Sequence, residues 1–189
     1  MSTKKELLNM IENNPDLCDL GYQYAEIDRR GYCLWVIDCA KHILPLAQPH
    51  LKNSDITQLT NSLNCGYQFL SGRSDTADLM NAINTIQNIA NLYYKSNSKI
   101  VYYLMETFDA IVNSLRLTMP SSPVYHEDVI YAAARAALNG RLHDEDSKSI
   151  LEELDCNNKD ELEGSEESAL EIQWQLQALK KRLLESFHN

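Results

Sequence analysis

The chain is poor in the residues that make turns. Its 189 residues include only six glycines and five prolines, whereas an all-β fold needs turn residues after every short strand. The composition therefore favours helices. The sequence also lacks any apolar run near the roughly 20 residues that a membrane-spanning helix requires, so we expect no contact with a membrane.

Cysteine is scarce and is not arranged in pairs. Five cysteines occur, at positions 18, 33, 39, 65 and 156, and no two of them are spaced as CxxC. The first residues, MSTKKELLNMIENN, are polar and contain no apolar stretch of the kind found in secretory leaders. Reduced thiols are the simplest interpretation, and we expect a cytoplasmic protein.

The motifs that usually bind phosphates or metals are missing as well. Neither GxGxxG nor GxxxxGK[ST] occurs, and there is no HExxH pair. The clusters His126-Glu127-Asp128 and His143-Asp144-Glu145-Asp146 contain metal-ligating residue types, but consecutive helical residues point in different directions. Both clusters stand where acidic residues stabilise helix N-termini. We therefore expect no metal, no cofactor and no catalytic site.

Apolar residues that recur at three- and four-residue steps predict an all-α fold. We predict helices over 2–13, 15–25, 56–70, 76–94, 99–118, 126–138 and 168–187, together with one at 33–45 and a short one near 150–154. That makes about eight or nine helices. Because short loops join them, we expect neighbours to pack antiparallel, as a multi-helix bundle of antiparallel helical hairpins.

Local signals predict where these helices begin and end. Gly31 is expected to separate the second helix from the third, and Asn53-Ser54-Asp55 to cap the fourth. Gly72 is predicted to close the fourth helix in the position that favours glycine, and Ser74-Asp75 to open the fifth. The predicted apolar stripe of the last helix consists of Leu170, Trp174, Leu176, Leu179 and Leu183.

The charge is distributed unevenly along the chain. The net charge is -10, and the window from Asp144 to Glu171 contains 12 acidic residues against two lysines, whereas the remainder has 15 of each sign. We therefore predict a helical bundle core over 1–143, an acidic linker or short helix over 144–167, and an amphipathic C-terminal helix over 168–189. That helix packs on the bundle or, in a homo-oligomer, on a second copy.

The segment CLWVIDCAKHILP, residues 33–45, contains the residue types of a nucleophilic or metal site. On a helix, Asp38 and His42 are four residues apart and share a face. Cys39 lies about 100° round the helix axis from Asp38, but it is three residues from His42 and could touch it. A Cys–His nucleophile needs a third group and an oxyanion hole, usually from distant parts of the chain, and neither is recognisable. We interpret the segment as a buried helix whose Asp38, Lys41 and His42 reach water or bond to a neighbour.

Two features predict a protein-binding surface. Tyr93-Tyr94 and Tyr102-Tyr103 flank a turn at 96–98; one tyrosine of each pair packs while the other covers the hairpin end, or they form an aromatic recognition patch. The acidic window is a solvated linker or a negative face for a basic partner. An acidic chain is a poor nucleic-acid binder. Our candidate partner-binding residues are Tyr94, Tyr103, Asp144, Glu145, Asp146, Glu152, Glu153 and Asp155.

The run RRGYCLWVIDCAKHILP resembles the first well-marked helix of a bacterial family of Imm5-like immunity proteins. The matching residues are Leu34, Trp35, Asp38, Cys39, Ala40, Leu44 and Pro45. Ser71-Gly72-Arg73, which opens into an Ala/Ile-rich helix, is also similar to that family, as are YAAARAAL and EIQWQLQALKKRLL, the latter through Glu171, Trp174, Gln175 and Leu179. The resemblance covers the chain from about residue 25 onward, apart from the acidic window.

This resemblance implies an immunity protein of a bacterial polymorphic toxin system rather than an enzyme. Such a protein binds a cognate toxin domain, here expected to be basic, and neutralises it by stoichiometric occlusion. The resemblance assigns no toxin-contacting residues. The alternatives are a helical adaptor or scaffold, and a small-molecule enzyme with a site between helices near His42, His50 or His126.

Overall fold

The computed structural model describes residues 3–13, 17–95, 99–116 and 166–185. Within these ranges the chain forms seven helices and no strand, so the all-α prediction is confirmed. The predicted helices over 126–138 and 150–154 lie outside the described residues. None of the described helices combines the length and apolar character that crossing a membrane would require. The helices are α1 (Lys4–Asn13), α2 (Leu17–Ile27), α3 (Arg29–Ala47), α4 (Asn53–Leu70), α5 (Thr76–Tyr93), α6 (Lys99–Arg116) and α7 (Glu166–Glu185).

Helix α3 is shared by two rings of four helices. In the first ring, α1 contacts α2, α2 contacts α3, α3 contacts α7, and α7 contacts α1 again. In the second ring, α3 contacts α4, α4 contacts α5, α5 contacts α6, and α6 contacts α3 again. A helix with neighbours on several sides must be apolar over most of its surface. The interpretation of 33–45 as a core helix is confirmed by burial of Cys33, Trp35, Val36, Ile37, Cys39, Ala40, Ile43 and Leu44.

Two of the predicted helix ends match the structure closely. Asp75 caps α5, because its carboxylate accepts the backbone N–H of Asp78 at 2.9 Å. Gly72 follows α4 with a φ of 71°, a conformation in which glycine avoids the steric cost of a Cβ. The N–H of Gly72 bonds to the carbonyl of Phe69, and that of Arg73 to the carbonyl of Gln68, which is the Schellman pattern of helix termination.

The boundary between α2 and α3 differs from the predicted one. The two helices are separated by Asp28, whose carboxylate accepts the N–H of Gly31 at 2.8 Å and so caps α3. Gly31 therefore lies inside the first turn of α3. A Cβ at this position would stand 2.1 Å from the hydroxyl oxygen of Tyr24. The glycine is thus needed for close packing rather than for a break in the chain.

The start of α4 also differs from the prediction. The helix begins at Asn53, three residues before Ile56, and its N-cap Lys52 makes no side-chain cap bond. Tyr93, at the end of α5, organises this terminus instead. Its hydroxyl donates to Oδ2 of Asp55 at 2.7 Å and accepts the N–H of Lys52 at 3.2 Å. Asp55 therefore lies in the first turn, where a negative charge suits the helix dipole.

Removing the hydroxyls of Tyr24 and Tyr93 should have opposite effects on stability. The Tyr24 hydroxyl is buried and has no hydrogen-bond partner within the described residues, so Tyr24→Phe should raise the free energy of unfolding by about 1 kcal/mol. Tyr93→Phe deprives the buried Asp55 of a hydrogen-bond donor and should lower the free energy of unfolding by about 1–2 kcal/mol. Urea titrations followed by circular dichroism test both variants, and a destabilised Tyr24→Phe protein would contradict this account.

The C-terminal helix α7 packs against α1 and α3, but its buried face is more polar than the predicted stripe. Leu170 is 46% exposed, so its assignment to the stripe is wrong, whereas Leu179 and Leu183 are fully buried. The helix also begins at Glu166, so the last two residues of the predicted linker belong to it. The buried positions repeat every four residues: Glu171, Gln175, Leu179 and Leu183.

Candidate functional site

Hydrogen-bonded side chains join α3 to α7; we call Asp38, His42, Glu171, Gln175 and Arg182 the polar seam. Arg182 donates from Nε and Nη2 to the two oxygens of Asp38, at 2.7 and 2.8 Å, the paired geometry that suits guanidinium and carboxylate. Glu171 is 1% exposed. Oε2 of Glu171 lies 3.1 Å from Nε2 of His42, and Oε1 accepts a hydrogen bond from Nε2 of Gln175 at 2.9 Å. Each oxygen of this buried carboxylate therefore has a partner.

Two aromatic side chains complete the contact between α3 and α7. The imidazole of His42 stacks on the indole of Trp174, with centroids 3.7 Å apart and planes 6° apart. The buried Trp35 donates its indole N–H to the backbone carbonyl of Gln175 at 3.0 Å. Asp38 and His42 are one helical turn apart and so face α7 together. The interpretation that these two residues bond to a neighbouring helix is therefore confirmed.

The cysteines of α3 lie in surroundings that suppress their reactivity. Burial, reinforced by the carboxylates of Glu171 and Asp38, raises the pKa of Cys39 well above its usual value. Burial also raises the pKa of Cys33 to about 12. A protonated, buried thiol is a weak nucleophile. Within the described ranges, moreover, no three His, Cys, Asp or Glu side chains come together as a metal ion would require. The seam thus joins two helices, and Cys33 and Cys39 are packing residues of α3.

A second polar region lies on the α5–α6 hairpin. The rings of Tyr94 and Tyr102 meet edge to face, with centroids 5.9 Å apart, and Tyr102 is 42% exposed. Glu106 and Asp109 follow Tyr102 by four and seven residues, so all three share one face of α6. Burial, followed by the carboxylates of Asp109 and Glu106, raises the pKa of Tyr94. We call these four residues the aromatic–acidic patch.

The structure describes the side chain of one predicted partner-binding residue, Tyr94. Tyr103 belongs to α6, but its side chain is outside the described part, as are all six acidic candidates: Asp144, Glu145, Asp146, Glu152, Glu153 and Asp155. Sequence reasoning missed Glu106 and Asp109, although their helical spacing from Tyr102 was a usable signal. Tyr93 has a packing role through its bonds at the start of α4.

Comparisons with known proteins identify no relative of this chain. It matches no protein-family model, and no curated protein or solved structure matches it.

Proposed function

We propose that this protein binds a basic protein partner and neutralises it by stoichiometric occlusion. The observation that carries the proposal is the aromatic–acidic patch. Tyrosine rings provide a large and rigid contact area, and the carboxylates of Glu106 and Asp109 attract lysine and arginine. A cationic side chain that enters the patch can meet the face of Tyr102 and a carboxylate at once, since aromatic rings also attract cations.

The net charge of -10 supports the same kind of partner. A strongly acidic chain attracts a basic protein over distances near the Debye length and so raises the association rate. The acidic residues predicted between 144 and 155 contribute to this field and remain candidate contacts. Affinity that relies on such steering decreases as the ionic strength increases.

A bacterial toxin domain is the partner that we propose, because residues 29–45 resemble the Imm5-like immunity proteins. In this role the protein is a cytoplasmic immunity protein of a polymorphic toxin system, without an enzymatic activity of its own. A helical adaptor for another basic protein is the alternative, and the patch would serve it equally well.

Growth rescue is the direct test of the immunity role. The toxin domain encoded beside this chain would be expressed in a sensitive host, with and without the protein. We expect the protein to restore growth and to form a 1:1 complex in light-scattering chromatography. A toxin domain that still kills in the presence of the folded protein contradicts the proposal, and a complex without rescue favours the adaptor.

Reversal of one charge in the patch should weaken the complex. We expect Glu106→Lys to raise the dissociation constant by about 10- to 100-fold, because it places like charges together at the contact. Asp109→Lys should act in the same way. Isothermal titration calorimetry in moderate salt measures both effects.

The matched control for these substitutions is Glu26→Lys on α2. Glu26 is exposed and lies outside the patch, yet its reversal changes the net charge by the same amount. It should leave the dissociation constant within about twofold of the wild-type value, because screening weakens distant surface charges. Equal losses in Glu26→Lys and Glu106→Lys would mean that net charge, and not the patch, determines the affinity.

A further inference from the structure

A cleft of about 500 Å³ opens between α3 and α7, beside the polar seam. Its volume is in the range of pockets that bind small molecules. Six of the residues that line it bear the argument: Asp38, Lys41 and His42 from α3, and Trp174, Lys181 and Arg182 from α7. The cleft is separate from the aromatic–acidic patch, which belongs to α5 and α6.

The cleft carries an excess of positive charge in a chain whose net charge is -10. The carboxylate of Asp38 neutralises Arg182 through two short bonds. Lys41 and Lys181 have no ion-pair partner within the described residues. Lys41 lines the α3 wall of the cleft and Lys181 the α7 wall.

Lys41 is placed where a counter-ion would stabilise it. Its side chain is half-buried, and its Nζ stands 5.2 Å from the ring centroid of Tyr67. Burial lowers the pKa of Lys41, since removing an ammonium group from water disfavours its charge. An anion bound beside Lys41 would offset that penalty.

Trp174 supplies a flat apolar wall to the cleft. Its indole stacks on His42, and the imidazole is in turn anchored by the buried Glu171 at 3.1 Å. A side chain fixed in this way loses little conformational freedom when a ligand binds. The wall therefore suits the carbon skeleton of a ligand whose charged groups face the lysines.

We infer that this cleft binds a small, multiply charged anion, either an organic phosphate or a polycarboxylate. Its oxygens contact Lys41 and Lys181, and its remaining atoms lie along Trp174. Such a ligand bridges α3 and α7 and so stabilises the docking of the C-terminal helix. This inference does not depend on the identity of the partner that the patch binds.

Fluorescence titration of the full chain tests the inference. The probes are fructose 1,6-bisphosphate, an organic phosphate, and citrate, a polycarboxylate, each added at constant ionic strength. The chain has two tryptophans, and Trp35 is fully buried, so a change in emission reports mainly on Trp174. We expect saturable binding of at least one probe with a dissociation constant below about 1 mM, confirmed by calorimetry. The probe that binds more tightly identifies the anion class.

Neutral variants distinguish the cleft from general charge attraction. Lys41→Gln and Lys181→Gln should each weaken binding by about tenfold or more, because charge-assisted hydrogen bonds to the anion are lost. Lys95→Gln is the control, since Lys95 is exposed at the end of α5 and outside the cleft. Unchanged affinity in Lys41→Gln and Lys181→Gln, an equal loss in Lys95→Gln, or no saturable signal up to about 10 mM of either probe would overturn the inference.

Discussion

Trp35→Ala is expected to lower the free energy of unfolding by about 3–5 kcal/mol, a large share of the roughly 5–15 kcal/mol that stabilises a typical domain. Trp35 is fully buried in α3 and meets Tyr32 edge to face at 5.9 Å. It also donates its indole N–H to the carbonyl of Gln175 on α7. Its truncation leaves a cavity beside α3, the helix that both four-helix rings share. The helices of one ring therefore cannot move into the cavity without disturbing the helices of the other.

Trp35→Phe separates the loss of the hydrogen bond from the loss of volume. It keeps most of the apolar side chain but leaves the carbonyl of Gln175 without the indole donor, and we expect a loss of about 1–3 kcal/mol. Trp174→Phe, at the partly buried tryptophan, is the matched control and should cost less than about 1 kcal/mol. Guanidinium titrations followed by circular dichroism give these values. A loss below about 1 kcal/mol for Trp35→Ala would be incompatible with a fully buried indole.

Gly31→Ala is expected to lower the free energy of unfolding by about 3 kcal/mol, although alanine forms helices better than glycine. The new Cβ would lie 2.1 Å from the hydroxyl oxygen and 2.7 Å from Cζ of Tyr24, and 2.9 Å from Oδ2 of Asp28. Tyr24 is fully buried, so its ring can make room for the new Cβ only by giving up packing contacts. Asp28 is the cap of α3, so displacing it costs a hydrogen bond as well.

A second glycine provides the comparison for Gly31→Ala. Gly66→Ala in α4 would place its Cβ 3.3 Å from the end of Leu115 and 3.4 Å from that of Ile37. These flexible ends can shift by a few tenths of an ångström, and alanine gains about 1 kcal/mol of helix propensity over glycine. We therefore expect Gly66→Ala to be close to neutral. Equal losses from the two substitutions would contradict the packing described for Gly31.

Tyr24→Phe should partly rescue Gly31→Ala. It removes the hydroxyl oxygen nearest to the new Cβ, while Cζ at 2.7 Å remains. The double variant should therefore be more stable than the sum of the single effects predicts, by about 1–2 kcal/mol, since contacting residues are energetically coupled. Urea titrations of the single variants and the double variant complete this cycle.

The helix ends that could be predicted best are those set by local signals. Asp75 and Gly72 act through neighbours within five residues, so their roles are visible in a short stretch of sequence. Gly31 was misjudged because a glycine in a turn and a glycine in a close contact have the same sequence signal. Its partner is the hydroxyl of Tyr24, and only the packing of α2 against α3 shows how near it is.

The contacts of α7 could not be predicted, because they join distant parts of the chain. Asp38 and Arg182 are 144 residues apart, and Trp35 and Gln175 are 140 apart. Hydrophobic periodicity assumes that buried helical positions are apolar, so it selected Leu170. Glu171 occupies the buried position because it bonds to His42, which no local pattern reveals.

The candidate sites show the same limit. Tyr94 could be chosen from its place beside a turn, and the spacing of Tyr102, Glu106 and Asp109 marks one helical face. No spacing in the sequence relates Lys41 to Lys181. They line one cleft only because α7 packs beside α3, so the anion site depends wholly on tertiary structure.

The sharing of α3 between two rings has a consequence for synthesis on the ribosome. The second ring is made of four consecutive helices, so it can close while the later part of the chain is still being translated. The first ring must wait for α7, whose residues are made last among the described helices. Until then the side of α3 that carries Trp35, Asp38 and His42 lacks the cover that α7 provides. A nascent chain is therefore most open to chaperones and to aggregation at the surface that the final helix later closes.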